Sequence, residues 1–242
     1  MSNRDLDIND RVAKAVATFW RTRKRQKSRQ QELGRTDQGS RSAVTGGAQM
    51  DGFVNLVSEL IQSAGIAESC IFTRKRHSEL PGYFRATKGW DLVVVSEGRF
   101  VAAVEFVSEV GPYFGQSFNV RTDEAMGAAL DLWAAFGDEC FGHTLTPWLG
   151  YLLFLEDCPE SQHPVRTQSP YFRANPEFEG ASYCQRYELF CRRLFLKRLY
   201  NRAAFLVSDR KHGLKGNYTE PATGLSFEMF AKSLMGHVTA YV

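Results

Sequence analysis

Glu105 stands inside Val101-Ala-Ala-Val-Glu-Phe-Val107, a run that otherwise reads as a buried β-strand. A carboxylate in such a run is rarely buried without a partner. The nearest candidate is Asp91. If a hairpin turns at Ser96-Glu-Gly98 and is centred on Gly98, positions 91 and 105 both lie seven residues from the turn and face each other. Opposed carboxylates with Cβ atoms ~5 Å apart repel and weaken a sheet. A hard divalent cation between them reverses that penalty, because Mg²⁺ takes one or two carboxylates and completes its shell with water and phosphate oxygens. Such an ion can polarise a phosphodiester for attack by water. Two other arrangements remain open at this point: a register shifted by one or two residues, or an arginine partner for each acid.

Other chemistries find no support. The five cysteines (Cys70, Cys140, Cys158, Cys184, Cys191) form no CxxC pair and have no paired histidine, which argues against a disulfide framework and a zinc site. There is no HExxH, GxSxG or phosphate-loop pattern. The start, Met1-Ser-Asn-Arg-Asp, is polar, and the apolar runs are far short of a membrane span, so a cytoplasmic location and no membrane partner are expected.

Charge is distributed unevenly. The net charge of +3 conceals ten Lys or Arg between Arg11 and Ser42, opposed there only by Glu32 and Asp37. A segment of this kind suits a polyanion, since each neutralised phosphate releases condensed counterions; it equally suits a solvated helix with a tail.

The elements that must position the pair follow from periodicity. Residues 8 to about 32 read as a basic helix with Val12, Val16, Phe19 and Trp20 on one side, followed by a Gly/Ser/Thr/Arg-rich loop to Gln49. Phe53 to Ala64 repeat at helical spacing, with Gly65 as a stop. A short strand near Cys70–Thr73 and the basic turn Arg74-Lys-Arg-His precede the hairpin, Trp90–Val95 and Arg99–Val107. A loop marked by Gly111-Pro112 and Gly115 leads to a helix over Thr122–Phe136, then to a buried strand, Trp148–Leu155. Beyond a loop with four prolines, Ser182-x-x-Gln185 opens an arginine-rich helix. A strand at Ala203–Val207, a basic loop at Asp209–Asn217 and a closing helix from Ser226 complete the chain. Strands and helices alternate without a regular βαβ repeat, which predicts one α/β domain over residues 1–242, a mixed β-sheet flanked by helices.

On these residues the chain resembles the PD-(D/E)xK nuclease superfamily, and within it the XhoI-type restriction endonucleases. The stretches that carry the resemblance are Arg41-Ser-Ala-Val-Thr-Gly-Gly-Ala-Gln-Met-Asp-Gly-Phe, Glu79-Leu-Pro-Gly-Tyr-Phe-Arg-Ala-Thr-Lys-Gly-Trp-Asp91, Val104-Glu-Phe-Val-Ser to Gly115, Gly180-Ala-Ser-Tyr through Arg193, and Pro221-Ala to Val242. The resemblance implies a restriction-endonuclease-like core and a type II enzyme of a restriction–modification system. Such an enzyme acts as a Mg²⁺-dependent homodimer on double-stranded DNA, at a palindromic site of the CTCGAG kind shared with a cognate methyltransferase. By the same carry-over Asp91 and Glu105 hold the metal. Glu59 becomes a possible outer ligand, although it lies off the apolar stripe of its helix and reads more simply as a solvated charge.

The chain departs from the pattern at Val107, where such enzymes carry the lysine beside the scissile phosphate. Three accounts compete. Lys88 could take over, although plain strand alternation points it away from Asp91 unless the chain bulges. Cleavage could be lost or impaired, leaving a DNA-binding protein on the same fold. Or the valine was introduced to trap a complex. Gln116 and Asn119, read as loop amides, are candidate base readers. The expected positive DNA surface comprises the N-terminal helix, Arg74, Lys88, Arg121 and Lys211.

Overall fold

The computed structural model describes residues 3–32, 47–73, 77–142 and 145–242. A mixed five-stranded sheet runs through it, built from β1 (Ile71–Thr73), β4 (Leu92–Ser96), β5 (Arg99–Glu109), β6 (Trp148–Glu156) and β7 (Arg202–Ser208), in that order. The β1–β4 and β4–β5 pairs are antiparallel; β5–β6 and β6–β7 are parallel. Every residue of β6 is buried, as expected of a parallel strand covered on both faces, and this is why Trp148 to Leu155 is continuously apolar.

Two helical layers cover the sheet. On one face α1 (Asn3–Glu32), α2 (Asp51–Ser63) and α5 (Phe227–Val238) bury Val12, Val16, Phe19, Phe53, Val57, Phe230 and Leu234 against Val104, Phe106 and Phe154. On the other, α3 (Phe114–Gly137) and α4 (Tyr183–Leu196) bury Ala128, Leu132, Tyr187 and Leu194 against Ala103, Tyr151, Leu153 and Phe205. The Ser182 hydroxyl accepts from Gln185 N and the Gln185 side chain returns to Ser182 N, so the expected capping box starts α4. The helix α1 is a structural member as well as a basic one: Trp20 Nε1 donates to Ser208 Oγ at 3.1 Å.

Two features differ from the sequence expectation. The stretch Glu79–Gly89 forms a small antiparallel hairpin of its own, β2 (Glu79–Pro81) and β3 (Thr87–Gly89), with Leu80 opposite Lys88. Three-residue strands around a Gly-Tyr-Phe-Arg tip are too short to show alternation. The helix α3 starts at Phe114 rather than Thr122, so Gln116 and Asn119 lie on its first two turns and not in a loop. Thr122-Asp-Glu resembles a helix start, but the Thr122 hydroxyl bonds back to Phe118 O at 2.8 Å, the mid-helix behaviour of threonine. The true start at Tyr113 has no side-chain cap to announce it.

Candidate active site

The β4–β5 hairpin sets the position of the acids. Its turn is two residues, Glu97 and Gly98, both with positive φ (51° and 73°), as a tight hairpin turn requires. That turn alone would pair Val95 with Phe100, and it does; a bulge at Val94/Val95 then shifts the register by one, so Leu92 pairs with Val104. Continued one step beyond the strand, that register would set position 91 against position 105, although β4 itself begins only at Leu92. A two-residue turn plus a bulge, not a turn centred on Gly98, sets this register.

Asp91 is 4% exposed, and its Oδ2 accepts the Phe106 N–H at 2.7 Å, which ties the acid to the neighbouring strand. Glu105 shares the sheet face of Val107 and opens into a cleft of about 720 Å³. The cleft is walled by Gln49 and Met50, by Arg85 and Lys88 of the β2–β3 hairpin, by Glu105 to Ser108 of β5, and by Arg121 to Ala128 of α3.

The ammonium of Lys88 contacts the Glu105 carboxylate directly and lies 4.4 Å from the Trp90 ring centre. Plain alternation along one strand placed Lys88 on the wrong side. The chain is not one strand there: β3 belongs to the small sheet, Trp90 N bonds to Ser78 O at 2.9 Å, and β4 begins only at Leu92. That break turns Lys88 towards the acids. Val107, at the position expected to hold the lysine, is half-buried, lines the cleft and packs against the α3–α4 core layer.

Arg121 also faces the cleft, yet its charge is engaged. Its Nε donates to Glu109 at 2.7 Å and its Nη1 to Glu124 at 2.8 Å. Burial works against the Arg121 charge, but the Glu109 contact outweighs it and holds the guanidinium protonated beyond its usual range. For Glu109 burial wins, raising its pKa despite Arg121.

The other expected site residues are dispersed. Glu59 is not brought to the acids: it is exposed, pairs with Arg11 at 2.7 Å and borders a separate groove with Lys14 and Asn55. The acidic residue that α2 does bring close is Asp51, in its first turn, which shares a smaller cavity of about 250 Å³ with Asp91, Asn55 and Thr73. Gly47 and Met50 border both cavities. Asp51 carries no apolar-strand anomaly of the kind that singled out Glu105, so nothing in its local sequence marks it. Gln116 and Asn119 are exposed on α3 but do not border the cleft, and neither does Lys211, which lies beyond β7 on a turn capped by Asp209. Arg74 and residues 33–46 of the expected Gly/Ser/Thr/Arg-rich loop lie outside the described residues.

Two carboxylates from adjacent strands suit a hard cation, which needs only one or two protein acids. Among the described residues no group of three or more His, Cys, Asp or Glu side chains gathers. Two buried polar atoms at the cleft, Gln49 Oε1 and the Tyr151 hydroxyl, meet no hydrogen-bond partner among the described residues. Buried polar atoms are ordinarily satisfied, so these two fit a cleft completed by a hydrated ligand.

A mixed sheet flanked by helices, with Glu105 on its central strand and Asp91 just before β4 bound to the Phe106 amide, defines an α/β protein with a restriction-endonuclease-like core. The chain belongs to the XhoI restriction endonuclease family: the model of restriction endonuclease XhoI matches residues 29–220. It is 48% identical over 207 residues to the type II restriction enzyme BstVI of Geobacillus stearothermophilus, covering 84% of this chain and 92% of that one. It is 44% identical over 196 residues to the type II restriction enzyme XhoI of Xanthomonas vasicola (80% and 78%), and 43% identical over 180 residues to AbrI of Azospirillum brasilense (72% and 81%). No solved structure matches the chain. By family the protein is a type II site-specific endodeoxyribonuclease. No helix among the described residues is long and apolar enough to cross a membrane.

Proposed function

We propose that this endonuclease is Mg²⁺-dependent, that Asp91 and Glu105 hold the ion, and that Lys88 replaces the lysine missing at position 107. The observation that carries the reading is the Lys88–Glu105 contact inside the cleft. It favours an active nuclease over a silent DNA-binding protein, because the positive charge that Val107 cannot supply is present from another element.

The division of labour follows from the groups. When bound, the ion supplies Lewis-acid polarisation of the scissile phosphate. Asp91, fixed through the Phe106 amide, and Glu105, facing it, are the ion's protein ligands, with Asp51 rather than Glu59 as the outer carboxylate. Lys88 orients the attacking water and places a cation beside the phosphoryl oxygens as negative charge builds on them. Arg85 meets a flanking phosphate from the cleft rim.

The protein acts as a homodimer on double-stranded DNA at a palindromic CTCGAG-like site that a cognate methyltransferase protects. Two scissile bonds related by a dyad are matched most simply by a twofold protein. Digestion of plasmid DNA with Mg²⁺, followed by sequencing of the cut ends, tests the reading. Lys88→Ala should abolish cutting at the mapped site; a variant that cuts like the parent would remove Lys88 from the chemistry.

A further inference from the structure

Asp131 is a buried carboxylate, 2% exposed, in the middle of α3 and outside the chemistry derived above. A buried charge is costly unless paired, and a single turn supplies partners for this one. Its Oδ1 accepts the backbone N–H groups of Tyr83 (3.0 Å) and Phe84 (2.7 Å), and its Oδ2 meets Arg85 Nε at 3.0 Å. Gly82 completes the fit: a Cβ there would stand 2.5 Å from Asp131 Oδ2. The tip of the β2–β3 hairpin is thereby held at three points.

What this clamp holds is two aromatic rings in solvent. Tyr83 is 54% and Phe84 74% exposed, with ring centres 4.9 Å apart at an interplanar angle of 78°. Large apolar side chains at a turn gain nothing from exposure in the free protein, while the clamp removes the conformational freedom that would let them fold back. The same hairpin carries Lys88 on its stem and Arg85 beside the aromatics, and both line the cleft of Glu105. Four residues of extended chain, at about 3.3 Å each, separate Lys88 from Phe84 by at most ~13 Å. With a rise of about 3.4 Å per base pair along the duplex axis, that reach spans roughly four base steps from the scissile bond.

We infer that the Tyr83-Phe84-Arg85 tip is a preformed wedge for double-stranded DNA: Arg85 fixes the backbone, and the two rings press against or between base pairs inside the recognition site. Apolar side chains inserted at a base step unstack and kink the duplex, and they do so selectively at deformable steps. The inference rests on the nuclease reading of the cleft. It adds a sequence-sensing element that acts through ring faces rather than through hydrogen bonds to base edges.

The test begins with duplexes that the protein itself selects from a random pool, with Ca²⁺ in place of Mg²⁺. Tyr83→Ala/Phe84→Ala removes side chains that are more than half exposed and keeps the backbone bonds to Asp131, so its melting temperature should stay close to the parent's. It should bind the selected duplex ~10-fold or more weakly, as expected for loss of base–aromatic contact. Binding to a scrambled duplex and the salt dependence should be unchanged, because no phosphate contact is lost. A 2-aminopurine placed at successive steps of the selected site should brighten with the parent at one step and stay dark with the double variant. Phe84→Trp should restore the brightening. Equal binding and no bright step would overturn the wedge while leaving the nuclease intact. A double variant that changes sedimentation from dimer to monomer would overturn it too, and assign the tip to a second copy of the chain. A parent that selects no sequence would defeat the nuclease reading itself, and the wedge with it.

Discussion

Lys88 and Glu105 meet although they belong to different sheets: the lysine comes from the small β2–β3 hairpin and the glutamate from the central strand β5. In the proposed mechanism the positive charge expected two positions beyond the glutamate comes instead from across the cleft. Val107 is left free to pack against the α3–α4 layer. The position is set by the break between β3 and β4, where Trp90 bonds back to Ser78 and its ring lies under the Lys88 ammonium.

Relocation of the lysine predicts an asymmetric pair of mutants. Lys88→Ala should lower the single-turnover cleavage rate by ~10²–10⁴, the range for a charged or proton-transferring group at a reacting centre. Val107→Lys alone should gain little, since Glu105 already has a cationic partner. Introduced into Lys88→Ala, however, it should recover part of the loss. If Val107→Lys accelerates the parent strongly and Lys88→Ala has no effect, Lys88 is only a structural partner of Glu105.

Divalent metal should stabilise the fold by mass action at the acid pair. Mg²⁺ or Mn²⁺ titrated into the parent should raise the melting temperature, and chelation should reverse the rise. Glu105→Gln removes the negative charge but keeps the shape, and should abolish the response. A metal-dependent rise that persists in Glu105→Gln would place the ion elsewhere. Asp51→Asn should weaken the response without abolishing it, whereas Glu59→Gln, far from the cavity, should leave it untouched.

Much of this site was legible in the sequence because the signal was a contradiction. A glutamate in an apolar strand demands a partner, and the short turn restricts where one can be. The register observed from Val94 to Leu92 is the one expected from that, although the turn is one residue shorter and an unforeseen bulge makes up the difference. Lys88 was not legible, because alternation assumes a continuous strand and β3 ends before β4 begins. Asp51 and the Tyr83–Asp131 clamp were not legible either: they depend on contacts across 40 to 48 residues, between elements whose packing no local pattern encodes. Helices and central strands fared better, since apolar periodicity and the Ser182 capping box are local properties. The start of α3 lacked such a cap, and its first two turns were lost to a loop.

Acid should destabilise the protein partly through His237. Its Nε2 lies 3.0 Å from Val101 O, and burial lowers its pKa below the usual 6.5, outweighing that hydrogen bond. The folded state therefore prefers the neutral ring. The contribution to stability is present above pH 6.5 and declines as pH falls from 6.5 through the lowered folded value, because the unfolded chain takes up the proton first. In His237→Gln, which keeps a donor for Val101 O, the fall in melting temperature between pH 7 and pH 5 should be shallower than in the parent. Parallel curves would show that His237 does not contribute.

The basic helix α1 should contribute non-specific affinity through its exposed cations only. Lys24 and Arg25 are exposed. Arg23 is half-buried, and its pKa is lowered by burial and then by repulsion from Arg210, with Glu156 as the opposing attraction. Arg23 thus belongs to the packing of α1 against the end of the sheet, where Glu156 is buried and bound to Arg210. Each phosphate contact contributes about −0.9 to the slope of log K against log salt. Lys24→Ala/Arg25→Ala should therefore make the slope shallower by up to ~1.8 on any duplex, with sequence preference unchanged. Arg23→Ala should instead lower the melting temperature, because it removes a half-buried side chain from the packing of α1. If the double variant leaves the slope unchanged, α1 supports the core with its apolar face and its exposed charges do not touch DNA.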